Sequence, residues 1–226
     1  MSKVLLIFSK TGKTRFIGHL DLIKTFQRAV KRANLPVAYS EGFNPHQKLG
    51  FALPLALGME GYNEAAELEL NCIVDVGDII EKLNNVLPKG ILIHEARLMG
   101  SDEKSTAALV SAAYYEMHTQ DTNGLADKAQ RLIGLGSIVI PKKTKKGIKD
   151  TDIRPDILTL EVSGNSLKAV LTAGGQRSLK PELLAGAMNV SFYRYARLNI
   201  YKTINGTILP LFGQNGGTND FQIIGG

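Results

Sequence analysis

Helical and strand periods alternate along this chain in an order that leaves few folds open. Residues 4–9 are a short apolar run, the pattern of a strand buried on both faces. Leu20, Leu22, Ile23, Phe26, Ala29, Val30 and Ala33 then recur at helical spacing. Asp21 in the first turn of that helix and cations near its end both suit the helix dipole. Asn34-Leu35-Pro36 ends it, and Val37-Ala38-Tyr39 begins a second strand. Residues 48–57 follow, limited by Pro54 to a sheet edge or a bulge. Residues 65–74 alternate as a strand, with Glu67 and Glu69 on one side and Leu68 and Leu70 on the other. Asp75 caps a helix whose stripe is Ile79, Ile80, Leu83, Val86 and Leu87, stopped by Pro88 and Gly90, and residues 91–98 close the unit as a strand.

The second half repeats the plan. Residues 111–119 read as a strand, Asp121 or Thr122 caps a helix carrying Leu125, Ala129, Leu132 and Ile133, and residues 137–141 form a strand. Residues 157–162 and 167–171 make a hairpin about Gly164-Asn165. Pro181 opens a helix running to Met188, residues 194–201 form the closing strand, and one extra strand falls around 142–156. The expected class is α+β: two tandem ferredoxin-like (βαββαβ) domains with antiparallel sheets. Their limits are 1–100 and a decorated 106–203, separated by polar residues 100–105, with a loosely held tail at 204–226. The halves share no visible sequence identity, so the duplication rests on element order alone.

Charge narrows the class of partner. The chain has 27 Lys and Arg against 21 Asp and Glu, with a pI near 9.3, which favours an anionic partner such as RNA, a nucleotide or an acidic protein face. Its single cysteine, Cys72, excludes an internal disulfide framework, a four-cysteine zinc site and a three-cysteine iron–sulfur motif. Lying in an apolar-alternating run, Cys72 reads as a small buried hydrophobe. No run approaches a membrane span or a signal sequence, so a cytoplasmic location is expected.

Chemistry-bearing side chains concentrate in residues 15–21 and 39–46, two loops that flank the first helix. His19 and His46 would serve there as acid and base in RNA cleavage if they face each other, and with Asp21 as metal ligands. The commoner roles for such residues are a helix cap for His19 and a loop backbone hydrogen bond for His46, and no closely spaced second histidine or carboxylate firms up a metal site. Lys10-Thr11-Gly12-Lys13-Thr14 ends like a phosphate-binding P-loop, but Ile7 stands where its first glycine belongs, which excludes that reading.

On the first helix, Lys24, Arg28 and Lys31 suit either a solvated face or RNA phosphates. Lys142, Lys143, Lys145, Lys146 and Lys149 are the densest charge run, a phosphate-backbone contact or a solvated hairpin. Gly174-Gly175-Gln176-Arg177-Ser178 precedes a helix start, where backbone amides hold phosphates or the glycines simply let elements pack. Tyr193, Tyr195 and Tyr201, interleaved with Arg194 and Arg197, fit base stacking or core packing.

Arg15-Phe16-Ile17-Gly18-His19-Leu20-Asp21-Leu22, Phe26-Gln27-Arg28-Ala29 and Tyr39-Ser40-Glu41-Gly42-Phe43-Asn44-Pro45-His46 resemble a bacterial family of unknown function, the radical-SAM-linked or radical-SAM-associated proteins. Phe51-Ala52-Leu53-Pro54-Leu55, Gly58 and Ser178-Leu179-Lys180-Pro181-Glu182 continue the likeness, which reaches to about residue 203. The resemblance implies an accessory role beside a radical-SAM protein with a cobalamin-binding type of N-terminal region, and this chain, lacking a cluster motif, is similar to the stand-alone form. In architecture the expected pair of ferredoxin-like units also resembles the CRISPR repeat-associated RNA-processing endonucleases.

The leading expectation is an accessory substrate-binding module for RNA, acting with a radical-SAM enzyme in RNA or ribosome modification and holding no cofactor of its own. Arg15, His19, Asn44 and His46 would line the specific pocket, with Asp21, Tyr39, Ser40 and Lys48 around it. Lys24, Arg28, Lys31, Arg177 and the 142–149 lysines would meet phosphates. A metal-independent ribonuclease using His19 and His46, and a protein-interaction scaffold using residues 51–57, are the alternatives.

Overall fold

A computed structural model describes residues 1–144, 147–175 and 177–212. Lys145, Lys146 and the end of the expected tail, residues 213–226, lie outside the described residues. The chain divides into two compact units, Met1–Leu109 and Val110–Gly226. It is a mixed α and β protein whose strand pairing is mostly antiparallel, with five α-helices among the described residues.

In the first unit, β1 (Ser2–Lys10) leads through a tight 3-10 turn at Gly12–Phe16 into α1 (His19–Arg32). Then come β2 (Leu49–Phe51), β3 (Glu60–Leu70), α2 (Val76–Asn84), β4 (Ile91–Met99) and the single turn α3 (Thr106–Leu109). The strands lie in the order β4-β1-β3, with β2 on the far side of β3. Register pairs Val4 with Leu68 and Leu6 with Ala66, aligning two apolar rows beneath the helices. Leu22, Phe26, Ala29 and Val30 of α1 are buried there. Phe8, Phe26 and Phe51 meet at centroid distances of 4.9, 5.2 and 5.8 Å, each pair contributing about 1 kcal/mol beyond burial. Asp75 caps α2 by accepting from the amides of Gly77 (2.8 Å) and Asp78 (3.2 Å).

Three details differ from expectation. Val37-Ala38-Tyr39 makes only isolated bridges, Val37 to Leu70 and Tyr39 to Gln47; Ala38 donates to the Glu69 carbonyl and accepts from the Lys48 amide, while the Lys48 carbonyl accepts from the Glu69 amide. β3 begins at Glu60, five residues ahead of the expected 65, through the unpromising Gly61 and Asn63. Cys72 is exposed, since β3 ends at Leu70 and the cysteine falls in the following turn.

The second unit runs β5 (Val110–His118), α4 (Leu125–Ile133), β6 (Val139–Thr144), β7 (Gly147–Asp152) and a 3-10 turn at Arg154–Asp156. It continues with β8 (Ile157–Ser163), β9 (Ser166–Thr172), α5 (Pro181–Met188), β10 (Arg194–Ile204) and β11 (Thr207–Pro210). Its sheet has the order β10-β5-β9-β8. The β8–β9 turn is the expected two-residue one, with Gly164 at φ 59° and Ser163 opposite Ser166. β6 is not the repeat's second sheet strand: it pairs with β7 in a separate hairpin, and β8 takes the sheet position. The insertion is thus a self-contained arm rather than one extra strand. Residues 207–210, assigned by sequence to a loose tail, pair with β10 as β11.

Candidate functional site

The first motif loop is held from below by charge. Lys10, completely buried, donates from Nζ to the carbonyls of Ile17 (2.9 Å) and Arg15 (3.2 Å). The amide of Gly58 donates to the same Arg15 carbonyl at 2.8 Å. Buried Glu60 accepts from the Gly12 amide at 3.0 Å and stands 3.9 Å from the Arg15 guanidinium. Gly90, at φ 102°, lets Thr11 and Thr14 close against it; a Cβ there would sit 2.7 Å from the Thr11 carbonyl oxygen.

With its carbonyls turned inward to Lys10, the loop presents Phe16 (61% exposed) and Leu20 (71%), while Leu57 (68%) precedes the Gly58 that binds it. The Arg15 guanidinium lies 4.8 Å over the Phe16 ring, a cation–π contact. Sequence reading missed Lys10, Glu60 and buried Glu64. Their one signal was a lysine closing an otherwise apolar strand.

The second loop is closed on itself. The Ser40 amide donates to the His46 carbonyl (2.8 Å), the His46 amide donates to Ser40 Oγ (3.0 Å), and Ser40 Oγ lies 2.8 Å from His46 Nδ1. The tie projects residues 41–45 into solvent, Phe43 and Asn44 included, while Tyr39 is half exposed beside it.

The loop is anchored next by buried Gln47, whose Nε2 donates to the Gln27 carbonyl at 3.2 Å. His19 instead sets its ring against the edge of Phe51, 5.8 Å between centroids. The two imidazoles thus have different partners, Phe51 for His19 and Ser40 for His46. Around them, Asp21 faces Lys24 at 3.8 Å and Lys48 is paired with Glu69 at 3.0 Å. Arg28 and Lys31 are exposed and without a partner among the described residues.

The second cationic region is the β6–β7 arm with the loop before α5. Register sets Lys142 directly opposite Lys149, and Lys143 opposite Ile148 on the other face. Lys142 Nζ donates to the Ser178 carbonyl at 2.9 Å, which ties the arm to the glycine-rich loop. In that loop Gly174, at φ 111°, passes so close to the Val110 carbonyl that a Cβ would lie 2.3 Å from its oxygen, so its glycine is a packing requirement.

Arg177 is oriented by Asp156, donating from Nε at 2.7 Å and Nη2 at 3.1 Å, and this carboxylate holds the guanidinium pKa above its usual value. Asp156 is buried and accepts also from Thr172 Oγ1 at 2.8 Å. The neighbouring Asp152 accepts from the amides of Ile138 (2.8 Å) and Arg154 (2.9 Å), which hold its carboxyl below the usual range.

Tyr195 and Tyr201 of β10 and Tyr193 just before it do not form a stacking face. Tyr201 is buried with Ala112 and Val170, Tyr195 packs on Phe192 at 6.1 Å, Arg197 is buried, and Tyr193 alone of the three tyrosines is well exposed. Among the described residues no group of three or more His, Cys, Asp or Glu is placed to hold a metal ion, and no helix is long and apolar enough to cross a membrane.

A family model described as an uncharacterized protein conserved in bacteria (DUF2344) matches residues 3–181, from β1 to the first residue of α5. No curated protein matches the chain.

Proposed function

We propose that this chain, which belongs to the DUF2344 family of uncharacterized bacterial proteins, is an accessory module that binds RNA through its second unit and serves a cytoplasmic radical-SAM enzyme of the cobalamin-binding type. Both units follow the order strand, helix, strand, strand, helix, strand once the β6–β7 arm is set aside, which supports reading each as a ferredoxin-like fold.

The observation that carries the RNA part is the Lys142–Lys149 pair. Like charges directly opposite on two strands destabilise a hairpin, so two lysines at opposed positions, one of them tied to the Ser178 carbonyl, fit a surface that receives an anion. Lys143 and Lys149 have no partner among the described residues, leaving their charge available to a phosphate backbone. The expected result is RNA binding that weakens steeply with salt, the slope of log K against log salt changing by about 0.7 per phosphate contact on single strands. Binding absent at low ionic strength would end the RNA reading.

The first unit supports the partner half of the proposal. Phe16, Leu20 and Leu57 are exposed apolar side chains on or beside a loop that Lys10 and Glu60 make rigid, an arrangement suited to docking a protein with little ordering cost. The radical-SAM identity of that partner rests on the resemblance of residues 15–22 and 39–46. Co-purification with such an enzyme at high salt tests it; recovery only through nucleic acid would count against direct docking. The separate contacts of His19 and His46 favour binding over acid–base cleavage, and unchanged RNA length on incubation is the expected result.

A further inference from the structure

We infer that Arg177, positioned by Asp156, and the Lys142–Lys149 pair of the β6–β7 arm together form one subsite for a nucleic-acid phosphodiester. The inference rests on the RNA-binding reading and gives it a location and a geometry. Three independent constraints converge beside Ser178. The arm is tied there through Lys142, the register brings Lys149 to the same face, and Arg177 is the adjacent residue in the loop.

Arg177 carries the geometric argument. A guanidinium has five N–H donors in a fixed plane, and Asp156 takes one from Nε and one from Nη2. The remaining donors are the two of Nη1 and the second one of Nη2, at the end of the group, and among the described residues they meet no other partner. The Arg177 side chain is 55% exposed while that of Asp156 is 4% exposed, so the carboxylate lies on the inner side and the unused donors on the solvent side.

This arrangement fixes a planar donor fork at the surface before any ligand arrives, which lowers the ordering cost of gripping a phosphate. Asp152, the other carboxylate in the field of Arg177, is already bound by two backbone amides. Asp150 lies opposite Pro141, on the arm face away from Lys142.

The sign of the Asp156 effect separates positioning from plain electrostatics. If the subsite were only a sum of charges, Asp156→Asn would remove a negative neighbour and tighten anion binding. A positioning role predicts the reverse, since the amide releases the guanidinium from its plane.

The experiment is fluorescence anisotropy of a labelled mixed-sequence single-stranded RNA across a salt series, using the full chain and its variants, with thermal melts to check the fold. Arg177→Gln is expected to weaken binding about tenfold and lower the salt slope by about 0.7. Arg177→Lys keeps the slope but weakens binding about threefold, because the fork is lost. Lys149→Gln behaves as Arg177→Gln, Asp156→Asn weakens binding, and Lys82→Gln, on α2 of the first unit, changes nothing.

Single-stranded DNA of equal length should show the same dependence on Arg177, since a phosphodiester subsite reads no sugar. Wild-type protein that binds no RNA overturns the functional reading itself. Wild-type binding that survives Arg177→Gln and Lys149→Gln unchanged overturns the subsite alone, as does tighter binding by a folded Asp156→Asn. Should that variant fail to fold, Arg177→Lys decides: affinity equal to wild type overturns the positioned fork.

Discussion

The two units share an element order and use their charges in opposite ways. Met1–Leu109 holds 13 Lys and Arg against 12 Asp and Glu, whereas Val110–Gly226 holds 14 against 9. In the first unit Lys3, Arg15, Lys48, Lys82 and Arg97 each stand within ion-pair distance of a carboxylate, and Lys10 is spent inside the fold. In the second, the arm inserted between α4 and β8 sets Lys142 opposite Lys149 in register and leaves Lys143 and Lys149 exposed, while Lys142 binds the Ser178 carbonyl. One plan therefore carries two surfaces of different chemistry: a rigid loop with apolar tips, and a cationic arm. Net charge of the whole chain hides this, because nearly all of the excess belongs to one unit.

The sharpest way to break the comparison is to neutralise the arm. Changing Lys142, Lys143 and Lys149 together to Gln should weaken the proposed RNA binding about a hundredfold at low salt, with stability moving by no more than about 0.5 kcal/mol. Changing Arg28 and Lys31 of the first unit should cost about threefold at most. Equal losses in a filter-binding assay would erase the division of labour.

Next in size is the buried charge. Glu60→Ala removes the acceptor of the Gly12 amide and strands a buried cationic neighbourhood, and urea denaturation should register a loss of about 3 kcal/mol. A loss under about 0.5 kcal/mol would mean that the motif loop does not depend on its ionic floor.

Replacing Phe16 and Leu57 by Ser should reduce capture of the proposed radical-SAM partner about tenfold while leaving the proposed RNA affinity intact, since exposed apolar anchors act on binding and not on folding. Loss of RNA affinity in this variant would show the two surfaces to be one.

The smallest effect concerns acid. Burial raises the pKa of Glu67, but hydrogen bonds from Lys3 and the Thr106 amide outweigh it, so the folded value lies below the ordinary one. A depressed folded pKa stabilises above the unfolded value and is lost as pH falls through the folded one. The stability gap between wild type and Glu67→Gln, under about 1 kcal/mol, should therefore persist near neutrality and close below about pH 4. A gap that widens on acidification would reverse the assignment.

Much of this was legible in residue order. The stripe of α1, the Asp75 cap of α2, the Gly164-Asn165 hairpin and Pro181 at the start of α5 are local signals, decided by periods and turn chemistry within a few residues. The motif loops could be located in the same way, because Gly, Asn, Pro and His mark backbone that leaves a regular element.

What only the tertiary structure decided depends on residues far apart in the chain. A lysine or glutamate reads as surface until a partner is known, and Lys10 and Glu60 are buried because the strands carrying them pair across some fifty residues of sequence. Sequence order placed His19 and His46 on either side of one helix, but their partners, the Phe51 ring for one and the Ser40 hydroxyl for the other, were decided by the fold. That β6 pairs with β7 while the more apolar β8 takes the sheet edge is a matter of long-range pairing, which local periodicity does not specify. Local periodicity specifies elements; pairing and burial specify which charges remain outside, and here that choice separates a structural cation from one free to meet a ligand.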